Sequence, residues 1–338
     1  MRIILIGFGS VGNSFAKILH QSDGELLQRF GLRPRIVAVV DRGGAAVDPH
    51  GLYFEKVEES KIRSGSVSMV EGSGKPGMTA LEVIDNVEAD VVVEVSPTNI
   101  IDGEPGLSHI ETALKRKRHV ITANKGPLAL AFPALMELAS YNNVQLRFSG
   151  TVGGGTPILD VGKKCLLGDR VSSIRGILNG TTNYILTKMF EINTPMQVAL
   201  TEAQAAGYAE TDSTNDVDGL DSACKLVILA NWVMDRPITL KNIEIDGIRK
   251  IDLEDVSRAR KEGCVIKLIA SINEEEARVK PQTLLNTNPL NVDGVLNAVT
   301  FNTLYAGKIT IVGHGAGGVE TSSAILRDLI DIRRNLTI

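Results

Sequence analysis

The first half of the chain alternates short apolar runs with longer amphipathic stretches. Runs rich in Val and Ile fall at 3–6, 35–40, 91–95, 120–122 and 144–148. Short runs of branched side chains predict strands covered on both faces. Apolar residues at helical spacing fill 12–27, 54–63, 79–86, 107–117 and 127–140. Strand–helix–strand repetition predicts an α/β fold, a doubly wound parallel sheet with helices on both faces. Gly- and Pro-rich stretches at 43–51 and 71–77 read as loops.

The pattern changes at Thr151-Val152-Gly153-Gly154-Gly155-Thr156-Pro157, a seam that places one domain at 1–150 and a second at 151–312. In the second, helices are predicted at 157–167, 181–191, 194–206 and 218–234, and strands at 173–178, 264–272, 298–305 and 308–312. This is an α+β domain. Thr194-Pro195 reads as a capping hydroxyl followed by proline at the first helical position. The stretch 317–334 reads as one amphipathic closing helix.

With 338 residues the chain has room for two such cores. A net charge of -4 gives no broad basic footprint for nucleic acid. The one dense basic run, Lys115-Arg116-Lys117-Arg118, sits where a helix should end and reads as a solvated cap. No apolar run reaches membrane-spanning length, and the N-terminus enters a strand directly instead of a secretory leader. Cys165, Cys224 and Cys264 are odd in number and far apart, without metal-ligand spacing. A reducing cytoplasm is therefore the expected setting.

Gly7-Phe8-Gly9-Ser10-Val11-Gly12 follows a strand and opens a helix. That is the context a dinucleotide fingerprint requires, and it makes the fold Rossmann-type. Its glycines allow a tight turn, close approach of a pyrophosphate, and close helix packing. The next strand ends in Asp41-Arg42. The acid suits the ribose of NAD and the arginine the 2'-phosphate of NADP, so both stay open, with Arg42, Lys56 and Lys61 favouring NADP. Ser96-Pro97-Thr98-Asn99 and Thr122-Ala123-Asn124-Lys125-Gly126 end two further strands, where ligands of such sheets bind. Lys125 therefore points into the same crevice. Asn179-Gly180-Thr181-Thr182-Asn183 is a polar turn between strand and helix, in which Thr181 is a candidate cap.

Between Gly207 and Lys225 lie five acids, Glu210, Asp212, Asp216, Asp218 and Asp221. Asp221 and Lys225 share one helix face. A solvated charged face is the plain alternative. The run is one-signed, bounded by glycines and followed by Leu226-Val227-Ile228-Leu229-Ala230, which favours a pocket rim.

Together these motifs resemble the homoserine dehydrogenase family across nearly the whole chain. The resemblance rests on Thr122-Ala123-Asn124-Lys125, on Asn179-Gly180-Thr181-Thr182-Asn183-Tyr184-Ile185, and on Gly207-Tyr208-Ala209-Glu210 with Asp216 and Gly219-x-Asp221-x-x-x-Lys225. It implies reversible hydride transfer between L-homoserine and NAD(P)+, giving L-aspartate 4-semialdehyde. Lys225 would be the acid/base, with Lys125 sharing the proton relay. Glu210, Asp216, Asp221, Gly180 and Thr181 would bind substrate. The glycine loop, Asp41, Arg42, Ser96, Pro97, Thr98, Asn124, Lys125, Gly207 and Gly317 would bind cofactor.

The resemblance also implies a homodimer, and a C-terminal segment 313–338 that returns to the first domain. His314 in that segment reads as structural. Relatives often carry a regulatory C-terminal ACT domain, for which this chain leaves no room, so a short form without feedback through such a domain is expected. Thr211 and Ser213 replace family prolines, and Ser149 replaces a family glutamate near a cation loop whose carbonyls are at Val152, Gly154 and Thr156. A bound Na+ or K+ is therefore in question. Two rivals remain: a reductase of a related semialdehyde or imine, and a nucleotide-sensing protein without turnover.

Overall fold

The computed structural model describes residues 1–336 as two units, one of Met1–Thr151 with the chain from Gly317 onward, the other of Val152–Ala316. In the first unit the elements run β1 (Arg2–Ile6), α1 (Ser10–Phe30), β2 (Arg35–Asp41), β3 (Gly44–Val47), α2 (Phe54–Ser64), β4 (Gly74–Pro76), α3 (Ala80–Asn86), β5 (Val91–Glu94), α4 (Gly106–Lys115), β6 (His119–Thr122), α5 (Lys125–Tyr141) and β7 (Leu146–Arg147). They form a seven-stranded sheet in the order β4-β3-β2-β1-β5-β6-β7. From β2 to β7 the strands are parallel, and β3 and β4 add an antiparallel edge. The chain leaves β1 toward β2 on one side and later fills β5 on the other, which makes the end of β1 the switch point where such sheets bind ligands.

The core of this unit explains the continuous apolar runs. Ile3, Leu5, Val39, Val91, Val93 and Ile121 are buried in one cluster with Phe15 and Leu19 of α1. Ile325, Leu329 and Ile332 belong to the same cluster at 0% exposure, all on the last helix, Gly318–Asn335. Each such side chain contributes about 1.5–3 kcal/mol on burial. The C-terminal helix is thus part of the nucleotide unit's core. Asp328 on this helix accepts from Ser149 N at 2.8 Å and from Ser149 Oγ at 2.6 Å.

The second unit runs α6 (Ile158–Asp160), β8 (Val171–Ile177), α7 (Gly180–Ile192), α8 (Met196–Ala205), α9 (Thr214–Val217), α10 (Leu220–Val233), β9 (Glu244–Ile245), α11 (Leu253–Lys261), β10 (Cys264–Ile272), β11 (Ala277–Leu285), β12 (Leu296–Thr303) and β13 (Lys308–His314). The final helix, Gly318–Asn335, is α12. Six strands order as β13-β12-β8-β10-β11-β9, antiparallel except for the short β11–β9 pair. Residues Ser222–Asn231 of α10 are all buried, as a helix at the centre of its unit must be.

Several expectations are corrected. The stretches 43–51 and 71–77 are not only loops, because they contain β3 and β4. Their glycines serve a close strand pair: a Cβ on Gly44 would meet Lys75 O at 2.5 Å. β11 carries Pro281, which weakens a strand signal, yet it pairs along its full length with β10. α11 is mostly charged and buries only Val256 and Ala259, and it starts on a capping box at Asp252. Pro195 caps α8 from an extended conformation, without a side-chain cap, so the helix starts one residue later than the Thr194-Pro195 signal implies. The helix expected at 157–167 is a short turn followed by a π-helical stretch, Val161–Cys165, where Gly162 lies against Val233. All three cysteines are free.

Candidate active site

The glycine loop has the geometry its sequence calls for. Gly7 has φ +100, and a Cβ there would lie 2.5 Å from Val95 O. A Cβ on Gly12 would collide with Gly7 O. Gly9, the N-cap of α1, faces open space, with no atom within 4 Å of where its Cβ would be. Two glycines are thus required by packing, and the third leaves room at a helix N-terminus that favours an anion. Phe8 is buried in the core, so only its backbone faces this space, and Val11 packs against the same core. Gly318, at the start of α12, is held against Ser10 so closely that a Cβ would collide with Ser10 Oγ. Gly317, at φ +135, caps that helix.

Asp41 behaves differently from expectation. Its Oδ1 accepts from Gly43 N at 2.9 Å and Ser66 Oγ at 2.8 Å. Its Oδ2 accepts from Lys61 Nζ at 2.8 Å and Val67 N at 3.0 Å. Burial raises the carboxyl pKa, but the bonds from Lys61, Ser66, Val67 N and Gly43 N outweigh burial and hold it below its ordinary 3.8. Both oxygens are already occupied, so a ribose hydroxyl would have to displace one of these donors. Arg42 is exposed beside it, and Lys56 lies 5.8 Å over the Tyr53 ring.

The ends of β5 and β6 are tied together. Thr122 Oγ1 bonds to Glu94, and Asn124 N donates to Thr122 Oγ1 at 2.9 Å. Asn124 caps α5 through Gly126 N and reaches Ser96 O and Pro97 O at 3.5 and 3.4 Å. Pro97 and Thr98 are exposed. Lys125 is the first residue of α5. A helix N-terminus disfavours a cation, so this position is not chosen for helix stability.

In the second unit the acid–lysine motif closes into a buried cluster. Lys225 Nζ lies 2.6 Å from Asp221 Oδ2 and donates to Leu178 O at 2.6 Å. Asn179 Nδ2 donates to Asp216 Oδ1 at 2.6 Å and to Asp221 Oδ2 at 3.0 Å. Asn179 Oδ1 accepts from Thr182 N at 2.8 Å, capping α7. Gly219, at φ +83, turns the chain into α10, which brings Asp221 to this cluster. Thr181 Oγ1 is engaged with Tyr208 O at 2.8 Å, and a Cβ on Gly180 would lie 2.8 Å from Val295 O. Glu210 stands apart on an exposed stretch, and Gly207, at φ +74, is likewise exposed.

The chain is similar to known proteins in sequence and in fold. Residues 7–149 fit the family model described as "Homoserine dehydrogenase, NAD binding domain", and 157–330 fit "Homoserine dehydrogenase". A homoserine dehydrogenase of Methanocaldococcus jannaschii is 45% identical over 98% of each chain. An NAD(+)-dependent homoserine dehydrogenase of Pseudomonas canavaninivorans is 36% identical over 99% of this chain and 97% of its own. The crystal structure of a putative homoserine dehydrogenase from Archaeoglobus fulgidus superposes with a TM-score of 0.91 at 37% identity, covering 98% of this chain and 99% of its own. The chain belongs to the homoserine dehydrogenase family. It is an NAD(P)-dependent oxidoreductase acting on a CH–OH group.

Within this homoserine dehydrogenase fold, Asp216, Asp221 and Lys225, which share one sequence motif, are joined through Asn179. Sequence reading misses the amide's role and Leu178 O. Glu94 is also missed, although a lone acid in Val91-Val92-Val93-Glu94-Val95 is itself a signal. Ser149 stands where the resemblance puts a glutamate beside the cation loop. Ser149 brings no carboxylate and is bonded to Asp328, while Thr156 O already accepts from Ile158 N at 2.8 Å.

The Asp41 network predicts a pH signature. A carboxylate with a depressed folded pKa adds stability that is present above its unfolded value and lost as pH falls through the folded one. The stability difference between wild type and Asp41→Asn, measured by denaturant unfolding, should hold above the ordinary 3.8 and shrink below it. A difference independent of pH would contradict the network.

Proposed function

We propose that the cluster around Lys225 carries the proton chemistry of reversible oxidation of L-homoserine to L-aspartate 4-semialdehyde. The observation that supports this most is a buried amine, 7% exposed, held between one carboxylate and one carbonyl. When the substrate hydroxyl is oxidised its proton must leave, and Lys225 exchanges that proton. Asp221 fixes the Lys225 side chain one helical turn away. Asp216, kept in place by Asn179, offers a negative charge to the substrate ammonium, and Glu210 on its exposed stretch supplies a second. Gly180 and Thr181 shape the turn that faces the substrate. Lys125 shares the proton relay or steadies the developing alkoxide. The nicotinamide supplies the hydride chemistry when bound.

Gly7, Gly9 and Gly12 hold the pyrophosphate through backbone N–H groups. Asp41 is fully engaged internally, so recognition at the adenosine ribose falls to exposed Arg42 and favours the 2'-phosphate of NADP. A related archaeal structure, 30% identical with a TM-score of 0.86, is a complex with NADPH. The same reading places the enzyme in the cytoplasm as a homodimer, supplying homoserine for threonine, methionine and isoleucine.

Reduction of NADP+ and NAD+ by homoserine, followed by absorbance, tests the reading directly. Lys225→Ala should lower turnover by about 10²–10⁴-fold with cofactor affinity intact. Retention of more than about a tenth of wild-type turnover would remove the acid/base assignment. Arg42→Ala should weaken NADP+ selectively, by roughly ten- to a hundredfold. Equal losses for both cofactors would make Arg42 structural.

A further inference from the structure

Glu94 ends β5 as a fully buried carboxylate that neither the glycine loop nor the Lys225 cluster uses. Its Oε1 accepts from Ser96 N at 3.0 Å and from Ser96 Oγ. Its Oε2 accepts from Thr122 Oγ1 at 3.1 Å. His109 Nδ1, itself buried, stands 3.6 Å from Oε1, too far for a hydrogen bond and with no other partner. Every group that meets this carboxylate is therefore a donor or a ring nitrogen.

The chemistry of hydroxyls gives this a consequence. A carboxylate only accepts, and a serine hydroxyl has one proton to give. With that proton directed at Glu94, Ser96 Oγ keeps only lone pairs for anything outside. Ser96 is partly exposed, so those lone pairs are reachable. Freed from Glu94, the same hydroxyl could rotate and donate.

The position of Ser96 says what it meets. β2, which ends in Asp41, lies on one side of β1, and β5 lies on the other. A dinucleotide spans the reversal point of such a sheet. With the adenosine ribose on the β2 side, the nicotinamide half comes to the end of β5.

We propose that Glu94 is a positioning residue that makes Ser96 Oγ an obligate acceptor, so that the end of β5 recognises an N–H or O–H donor on the nicotinamide half. The donor is the carboxamide or a ribose hydroxyl. The proposal rests on the reading of Ser96 as a cofactor contact, but not on the identity of the substrate.

The test compares affinities for the reduced dinucleotide and for ADP-ribose bearing the same 2' substituent, measured by calorimetry without homoserine. Their ratio isolates the nicotinamide half. Ser96→Ala should lower the ratio about tenfold, the worth of one hydrogen bond. Glu94→Met, which fills the space without an acceptor, should lower it in the same direction, by about threefold or more, because the hydroxyl is no longer held with its lone pairs outward. Glu94→Gln should keep it within about twofold of wild type, because the amide oxygen can face Ser96 while its NH₂ faces Thr122 Oγ1. The 3-acetylpyridine dinucleotide, which lacks the carboxamide N–H, separates the two sources. If wild type binds it about tenfold more weakly than the natural form, the carboxamide is the donor, and if not, the ribose is. An unchanged ratio in Ser96→Ala overturns the proposal. So does a Glu94→Met variant that keeps the ratio, or one that loses ADP-ribose affinity as well and thereby shows a general folding role. Failure to oxidise homoserine would overturn the proposed function and leave these ratios unaffected.

Discussion

At the start of α7 a single amide holds two carboxylates in place. Asn179 spends both N–H bonds on Asp216 and Asp221, and its oxygen accepts from Thr182 N and Oγ1. An amide has two donors and two acceptor lone pairs, and here all are used. The reversed orientation would set the amide oxygen against two acids. Asp221 in turn pairs with Lys225, and Lys225 with Leu178 O, so strand end, turn and helix α10 are fixed by one connected set of bonds. A half-satisfied network at this depth would cost more than an apolar one. That constraint explains why a polar turn and an acid-rich segment, more than thirty residues apart, must fold together.

The two lysines of the account sit in contrasting places. Lys225 is buried beside Asp221, just before the apolar run Leu226-Val227-Ile228-Leu229-Ala230 of the same helix. Lys125 opens a helix whose dipole opposes it. Neither position is one that helix stability alone would select, and such local conflicts are expected at functional sites.

Much of this was legible in the sequence because it depends on neighbours along the chain. The glycine loop, the buried strands and the Asp221–Lys225 spacing are local patterns with one geometric solution. What was not legible depends on distant partners. Asp41 reads as a ribose acid, and only the return of Lys61, Ser66 and Val67 shows its carboxylate taken. β3 and β4 read as loops because glycine usually breaks strands, and here it lets an edge pair approach closely. The link from Ser149 to Asp328 spans 179 residues, a separation no periodicity can reveal.

The most direct test of the central claim is steady-state kinetics of Asn179→Ala with homoserine, alongside cofactor affinity measured separately. The loss of hydrogen bonds to two carboxylates, each worth roughly 1.5–3 kcal/mol, should reduce kcat/KM for homoserine by about a hundredfold or more while cofactor Kd stays within about twofold. A variant with wild-type kcat/KM would contradict the account, because the acids and Lys225 would then be held by something other than this amide.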